Sequence, residues 1–151
     1  MEVIRRNTDY GWRMMVALAR HSGSGELISA SQLAHEGDIS YEVGRKLLQR
    51  LRDAKLVKSV MGSNGGFKLN RKPSKISLME VINVLQSEIY LNKCLADDYE
   101  CEFENECQIN TKLAPLQQHL VNYLENVTIK ELLKNRSKKN KKMDGCSKNS
   151  S

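Results

Sequence analysis

Three cysteines lie close together in an acidic segment, and thiols at this density could bind a metal. Cys94, Cys101 and Cys107 fall within 14 residues, and residues 94–107 also contain six Asp or Glu and no Lys or Arg. Buried structural cysteines normally have apolar neighbours, so this acidic setting favours metal ligands over incidental thiols. The N-terminal residues contain no apolar export signal, so we expect thiols or ligands rather than disulfides.

The spacing of the thiols leaves an iron–sulfur cluster possible. Six and then five residues separate them, unlike the Cys-x-x-Cys pairs of ferredoxins and zinc ribbons. A loop of this length can place three sulfurs on one face of a cluster and leave the fourth position to another residue. The six carboxylates oppose thiolate formation and an anionic cluster, so we expect them to face solvent. The candidates for the fourth ligand are Asp9, Asn110, His119 and the loop carboxylates.

Other uses of the cysteines stay open. A structural zinc site could use the three thiolates with His119, Asp9 or a carboxylate. A metal-free regulator could use the thiols to bind a partner protein, and an electron carrier is a third alternative. We expect Cys146 to be a spare thiol. The sequence contains no Ser/His/Asp arrangement, phosphate loop or paired catalytic carboxylates, so we predict no enzyme activity.

The charge distribution predicts a polyanionic partner. The 151-residue chain carries a net charge of +6, with +6 on residues 1–93, −6 on residues 94–107 and +6 on residues 108–151. A basic body favours nucleic acid. The composition, 40% hydrophobic and 28% charged, is that of a globular protein, and no apolar run is long enough to span a membrane. We therefore expect a cytoplasmic protein with no membrane partner.

The first half of the chain is predicted to contain a helix-turn-helix. Apolar residues recur at helical intervals from Thr8 to Arg20. Ser29 begins a short helix that continues through Ala34. A turn at 37–40 separates it from a second helix, Tyr41 to about Ala54.

A β-hairpin is predicted next, with strands at 56–61 and 67–71 around the glycine-rich tip 62–66. This order of elements predicts a mainly α fold with a small β wing, a winged helix-turn-helix. In this fold the second helix enters the major groove by its N-terminal residues, and the wing reaches a neighbouring groove or phosphate. The predicted DNA-binding residues are Ser29, Ser40, Tyr41, Glu42, Arg45, Lys46 and Arg50 in the helices and Ser59, Ser63, Asn64 and Lys68 in the wing.

The second half is predicted to contain further helices. Ser77 and Glu80 have capping-box spacing, and a long helix is predicted from Leu113 to Val127, with Pro115 expected to start or kink it. The chain therefore divides into a winged helix-turn-helix DNA-binding domain (1–76), a region with the cysteine loop and further helices (77–133) and a disordered basic tail (134–151). The family resemblance described next implies that residues 77–133 form a cluster-binding loop and dimerisation helices.

The sequence resembles the Rrf-two-type winged-helix regulators, which include the iron–sulfur sensors IscR, NsrR and RirA. The resemblance covers about residues 1–133 and is most specific in the wing, Gly62-x-x-Gly-Gly-Phe-x-Leu69, taken together with the clustered cysteines. It implies a homodimer joined by the long C-terminal helix. It also implies a cluster-controlled repressor that binds pseudo-palindromic double-stranded DNA and senses nitric oxide, redox state or iron and cluster supply.

The resemblance also bears on the fourth ligand. IscR-like members have a histidine ligand to a 2Fe–2S cluster at the position of Asn110. Asp9 matches an aspartate that completes a 4Fe–4S cluster in NsrR-like members, and it could reach the cysteine loop of the other subunit. The metal site is therefore expected to contain Cys94, Cys101, Cys107 and Asp9, with 4Fe–4S favoured and 2Fe–2S possible. Val43 and Met61 depart from the aromatic and arginine residues that some relatives have there.

Overall fold

The computed structural model describes residues 2–101, 103 and 106–133. The predicted mainly helical architecture with one two-stranded hairpin is confirmed. The predicted tail and Cys146 lie outside the described residues, in which no helix is long and apolar enough to cross a membrane. The elements are α1 (Arg6–His21), α2 (Ala30–Gly37), α3 (Tyr41–Asp53), β1 (Val57–Val60), β2 (Gly66–Leu69), α4 (Leu78–Leu85), α5 (Gln108–Asn126) and α6 (Ile129–Leu133), with 3-10 turns at Pro73–Lys75 and Lys93–Leu95.

A tight turn joins α2 to α3. Asp38 ends α2 in the left-handed conformation, at φ 53°, and the Ile39 N–H donates to the Ala34 carbonyl at 2.9 Å. Gly44 lets α3 come close to its neighbours, because a Cβ at this position would lie 3.3 Å from both the Ala34 Cβ and the Met14 Cε. The predicted helix-turn-helix is thus held by backbone capping and by close packing against α1.

The wing is an antiparallel hairpin whose base is fixed to the helices. Val57 pairs with Leu69 at the base, and Val57 is buried. Ile28, just before α2, exchanges two backbone hydrogen bonds with Phe67, of 3.0 and 2.8 Å. The wing therefore projects from a fixed point beside the helix-turn-helix.

The segments before α4 and α6 pair with each other. The Leu78 N–H donates to the Val127 carbonyl, and the Ile129 N–H donates to the Ile76 carbonyl, each at 2.9 Å. The predicted capping box at Ser77 is present. Apolar residues from both sides of residue 76 share one core, so packing is continuous across the proposed domain division. Its fully buried members include Met14, Met15, Leu33, Leu48, Leu51, Ile76, Val81, Ile82 and Ile129.

Gln86, directly after α4, binds the start of the chain. Its side chain is nearly buried, at 8% exposure. The Oε1 atom accepts from the Arg5 N–H at 2.9 Å and from the Thr8 hydroxyl at 3.0 Å, and Nε2 donates to the Val3 carbonyl at 2.6 Å. These bonds join the beginning of α1 to the end of α4. Thr8, predicted to lie at the start of its helix, is buried inside a helix that starts two residues earlier.

Arg50 connects α3 to the same end of α4. Its guanidinium donates to the Val84 carbonyl at 2.6 Å and to the Leu85 carbonyl at 3.1 Å. The last carbonyls of a helix have no partner within the helix, so these bonds satisfy groups that would otherwise need other donors. The side chain of Arg50 is therefore occupied on the α4 side of α3.

The long helix α5 begins earlier than the pattern predicts. It starts at Gln108 and not Leu113, because Cys107 caps it by accepting from the Asn110 N–H at 3.4 Å. Pro115 consequently lies inside the helix, so the prediction that it could start the helix is wrong. A proline at this position removes one helical hydrogen bond, to the Thr111 carbonyl.

We predict that Gln86→Leu lowers the free energy of unfolding by about 1–3 kcal/mol, because it leaves the buried Thr8 hydroxyl and the Arg5 N–H without an acceptor. Chemical denaturation measures the change. The double variant Thr8→Val with Gln86→Leu should recover part of the loss, because it removes the unpaired hydroxyl as well. A Gln86→Leu protein as stable as the parent would contradict the role of this side chain.

Candidate nucleic-acid interface and cysteine loop

The amino end of α3 presents polar side chains to solvent. Tyr41 is 53% exposed, and Glu42, Arg45 and Lys46 are exposed as well. Tyr41 and Arg45, like Glu42 and Lys46, are four residues apart and share a helix face. In the part of the chain that the structure describes, neither Arg45 nor Lys46 pairs with a carboxylate. This end of α3 therefore presents two cations available to a ligand.

The two predicted serines of the helix-turn-helix have different environments. Ser29 caps α2, with its hydroxyl accepting from the Gln32 N–H at 3.1 Å. Ser40 precedes α3 but makes no side-chain capping bond. Both side chains are exposed at the amino ends of their helices. Helix amino ends carry unpaired N–H groups that favour anions such as phosphate.

The wing places the remaining predicted residues at its solvent side. Ser63 and Asn64 are exposed in the turn, and Lys68 is exposed on β2. Ser59 is half-buried and pairs with Phe67.

Lys58 and Met61 are among the exposed wing residues that the predicted DNA-binding set does not contain. Lys58 lies directly opposite Lys68 in the hairpin register, and Met61 is 90% exposed at the tip. The alternation of the strands would have identified Lys58 only once that register was known. The exposed wing residues thus combine two cations with an apolar tip.

The three cysteines occupy different local structures. Cys94 lies in a 3-10 turn, Cys101 lies in the following loop, and Cys107 caps α5. All three are free thiols and half-buried. The Oδ1 atom of Asn110 is buried next to Cys107 and has no hydrogen-bond partner among the described residues.

The segment that leads to the cysteines is fixed to α5. The Gln117 side chain accepts from the Leu91 N–H at 2.9 Å and donates to the Ile89 carbonyl at 2.7 Å. The Lys93 ammonium lies 4.8 Å from the centre of the Tyr99 ring, a favourable cation–π distance. The cysteine loop thus has one anchor on α5 before Cys94 and another where α5 begins.

A tyrosine in this segment stays uncharged. The Tyr90 hydroxyl donates to the Glu88 carboxylate. That hydrogen bond, with a smaller effect of burial, raises the pKa of Tyr90 above its ordinary value. The Tyr90 hydroxyl therefore keeps its proton to a higher pH than an ordinary tyrosine does.

The three thiols suit an iron–sulfur cluster chemically, but within the described part of the fold they do not lie close enough together to bind one. Three thiols are ligands that iron–sulfur clusters prefer. Within residues 2–101, 103 and 106–133, however, no three His, Cys, Asp or Glu side chains form a group that could hold a metal ion. The predicted ligands of one chain are therefore not brought together by this fold alone.

Two of the candidates for a fourth ligand, Asp9 and His119, lie on different helices. Asp9 lies on α1, where it pairs with Arg13 at 2.9 Å, and both side chains are 47% exposed. His119 lies twelve residues after Cys107 along α5, a rise of about 18 Å. Because the chain continues as helix through Pro115, His119 does not approach Cys107 in the same chain.

One face of α5 is apolar and uncovered. Ile109, Leu116 and Tyr123 are 66%, 53% and 61% exposed and recur every seven residues, whereas Leu124 is buried against the rest of the protein. Apolar residues at this interval form the seams of paired helices. The long helix thus packs one face against its own core and leaves an apolar face exposed.

Comparisons with known proteins agree with this architecture. Residues 4–135 match the Rrf2 family, described as iron-dependent transcriptional regulator. Protein aau3 of Rhizobium meliloti is 30% identical over 135 residues, which are 88% of this chain and 86% of that protein. The HTH-type transcriptional regulator IscR of Yersinia pseudotuberculosis is 30% identical over 126 residues, which are 83% of this chain and 76% of that protein.

Solved structures give the same result. CymR of B. subtilis, described as the global cysteine regulator, superposes with a TM-score of 0.76 at 25% identity and covers 89% of this chain and 98% of its own. IscR of T. potens has a TM-score of 0.67 at 27% identity and covers 87% of this chain and 85% of its own. These relatives are regulators and not enzymes, as predicted. The resemblance is confirmed: the chain belongs to the Rrf2 family of winged helix-turn-helix transcriptional regulators.

Proposed function

We propose that this transcriptional regulator is a homodimeric repressor that reads a pseudo-palindromic operator and holds an iron–sulfur cluster in its cysteine loop. The observation that carries the DNA-binding part is the exposed amino end of α3. Arg45 and Lys46 are exposed there without a carboxylate partner among the described residues. Because the protein acts on DNA, we place it in the cytoplasm with the chromosome.

The major groove is the expected site for α3. An α-helix fits the major groove, and residues at its amino end contact base edges. We assign base contacts to Tyr41, Glu42 and Arg45 and phosphate contacts to Ser29, Ser40 and Lys46. The wing residues Ser59, Ser63, Asn64 and Lys68 are assigned to a neighbouring groove. Arg50 is left out of this set, because α4 carbonyls occupy its guanidinium.

The partner that suits the uncovered face of α5 is a second copy of the chain. Ile109 and Tyr123 lie seven residues to either side of Leu116. Two antiparallel α5 helices that cross at Leu116 would therefore place Ile109 against Tyr123 of the partner subunit, at both ends of the seam. Such a two-fold pairing is self-complementary. It would present two α3 helices to half-sites about one helical turn apart on DNA.

The cysteine loop supplies three ligands of the proposed cluster. Cys94, Cys101 and Cys107 would hold it, with Asp9 of the partner subunit as the fourth ligand and 4Fe–4S favoured over 2Fe–2S. Asp9 is half-exposed on α1 and so is accessible from outside its own chain. When bound, the cluster would supply a group that responds to nitric oxide, redox state or cluster supply. A zinc-stabilised or metal-free regulator is the alternative, and the dispersed positions of the thiols favour the metal-free one.

We predict that Arg45→Ala weakens binding to the operator by about 1–3 kcal/mol, as expected if Arg45 reads a guanine. Fluorescence anisotropy would measure binding to a duplex selected from a random library with the parent protein, and to a scrambled duplex. Lys130→Ala, at an exposed position on α6, is the matched control and should bind like the parent. An equal loss on both duplexes would make Arg45 a phosphate contact. No loss on either would contradict its place in the interface.

We predict that protein purified without oxygen is brown and contains iron and sulfide, with visible absorption from charge transfer between them. Asp9→Ala should stay folded by circular dichroism but change this spectrum and lose iron faster, whereas His119→Ala should do neither. Arg13→Ala is the control, because it removes the Asp9–Arg13 ion pair and keeps the Asp9 carboxylate. The reverse behaviour of Asp9→Ala and His119→Ala would make His119 the ligand. Colourless protein with stoichiometric zinc would contradict the cluster.

A further inference from the structure

The tip of the wing is apolar and tightly built. Met61 is 90% exposed and Val60 is 45% exposed. The turn that follows contains Gly62 at φ 116°, and the Gly65 N–H donates to the Gly62 carbonyl at 3.0 Å. A Cβ at Gly65 would lie 2.1 Å from the Val60 carbonyl oxygen, so the close turn requires glycine there. The exposed Met61 therefore directly precedes a compact turn.

A pair of like charges lies below this tip. Lys58 and Lys68 are direct cross-strand partners, and both are exposed. Two positive charges directly opposite each other destabilise a hairpin. A negatively charged partner removes this penalty, and the phosphates of DNA are such a partner.

The distance along the strand from the lysines to the tip is comparable with the depth of the minor groove. Met61 follows Lys58 by three residues, which span about 10 Å of extended chain. The minor groove is roughly 6 Å wide and 7.5 Å deep, with phosphates along both edges. When the tip reaches the groove floor, the two lysines lie near the level of those phosphates.

Building on the DNA binding proposed above, we propose that the wing inserts Met61 into the minor groove as an apolar wedge, with Lys58 and Lys68 on the flanking phosphates. Methionine is among the side chains that unstack base steps from this groove and kink the duplex. Pyrimidine–purine steps deform most easily. The wing would therefore contribute sequence preference through DNA deformability, without hydrogen bonds to base edges.

The experiment uses the full chain and a duplex selected from a random library with the parent protein. Anisotropy gives affinity, energy transfer between the duplex ends gives the bend, and 2-aminopurine at the wing position reports unstacking. Met61→Ala should weaken binding about tenfold, as expected for truncating one buried methionine, and should reduce the bend and the 2-aminopurine signal. The dependence on salt should not change, because no charge is removed. Met61→Leu, which keeps an apolar side chain, should behave like the parent.

The Lys58→Gln variant tests the contribution of the lysine charge to DNA binding separately from that of the Met61 side chain. It should weaken binding to the selected and the scrambled duplex equally. It should also lower by about one the slope of log binding constant against log salt concentration, as expected for the loss of one phosphate contact. If Met61→Ala binds and bends the selected duplex like the parent, the wedge is overturned. A Met61→Ala loss that is equal on all sequences, with the bend retained, would also overturn it. A parent protein that selects no duplex would refute the proposed operator binding itself, and the wedge with it.

Discussion

The carboxyl end of α4 is the junction on which the arrangement of the other elements depends. The last carbonyls of a helix need donors from elsewhere, and here Arg50 of α3 supplies two of them. The next residue, Gln86, satisfies the Arg5 N–H and the Thr8 hydroxyl at the start of α1. Because leaving buried polar groups unpaired is costly, the end of α4 cannot shift without affecting both helices.

The cysteine loop begins directly after this junction. Ile89 and Leu91, which precede Cys94, are held by Gln117 on α5, and Cys107 at the far end of the loop caps the same helix. A rearrangement of the thiols would therefore act on the end of α4 and on the start of α5. The end of α4 is connected through Arg50 to α3, the helix proposed to bind DNA, and the start of α5 leads to the proposed dimer seam. This connectivity gives a physical route by which the loop could alter operator affinity.

Local signals in the sequence predicted most of the fold correctly. The capping box at Ser77 and the glycine-rich turn after Met61 act between residues near in sequence, so their spacing was enough. The role of Arg50 could not be predicted in this way, because its acceptors, the carbonyls of Val84 and Leu85, lie more than thirty residues away in sequence. In the sequence alone, Arg50 is an arginine on a polar helix face and was therefore assigned to DNA binding. The start of α5 was missed because cysteine is not among the preferred capping residues.

The sequence predicted which residues belong to the candidate site, but not how those residues are arranged in space. The acidic setting and the spacing of the three cysteines indicated that their thiols are ligands. The sequence of a single chain did not indicate how these thiols are placed relative to each other or to Asp9. If the fourth ligand comes from a second subunit, the site is complete only in the dimer. The cross-strand pairing of Lys58 with Lys68 was likewise invisible until the hairpin register was known.

The most direct test of the coupling between the cysteine loop and DNA is the operator affinity of the same protein with and without the proposed iron–sulfur cluster. Anaerobically purified protein and protein stripped by a chelator would be titrated against one selected duplex under identical salt. The junction at α4 predicts dissociation constants that differ by about 5- to 150-fold, the usual range of allosteric coupling, and a ratio closer to one in Arg50→Met. Equal affinities of the two parent forms would contradict a regulatory role for the cysteine loop.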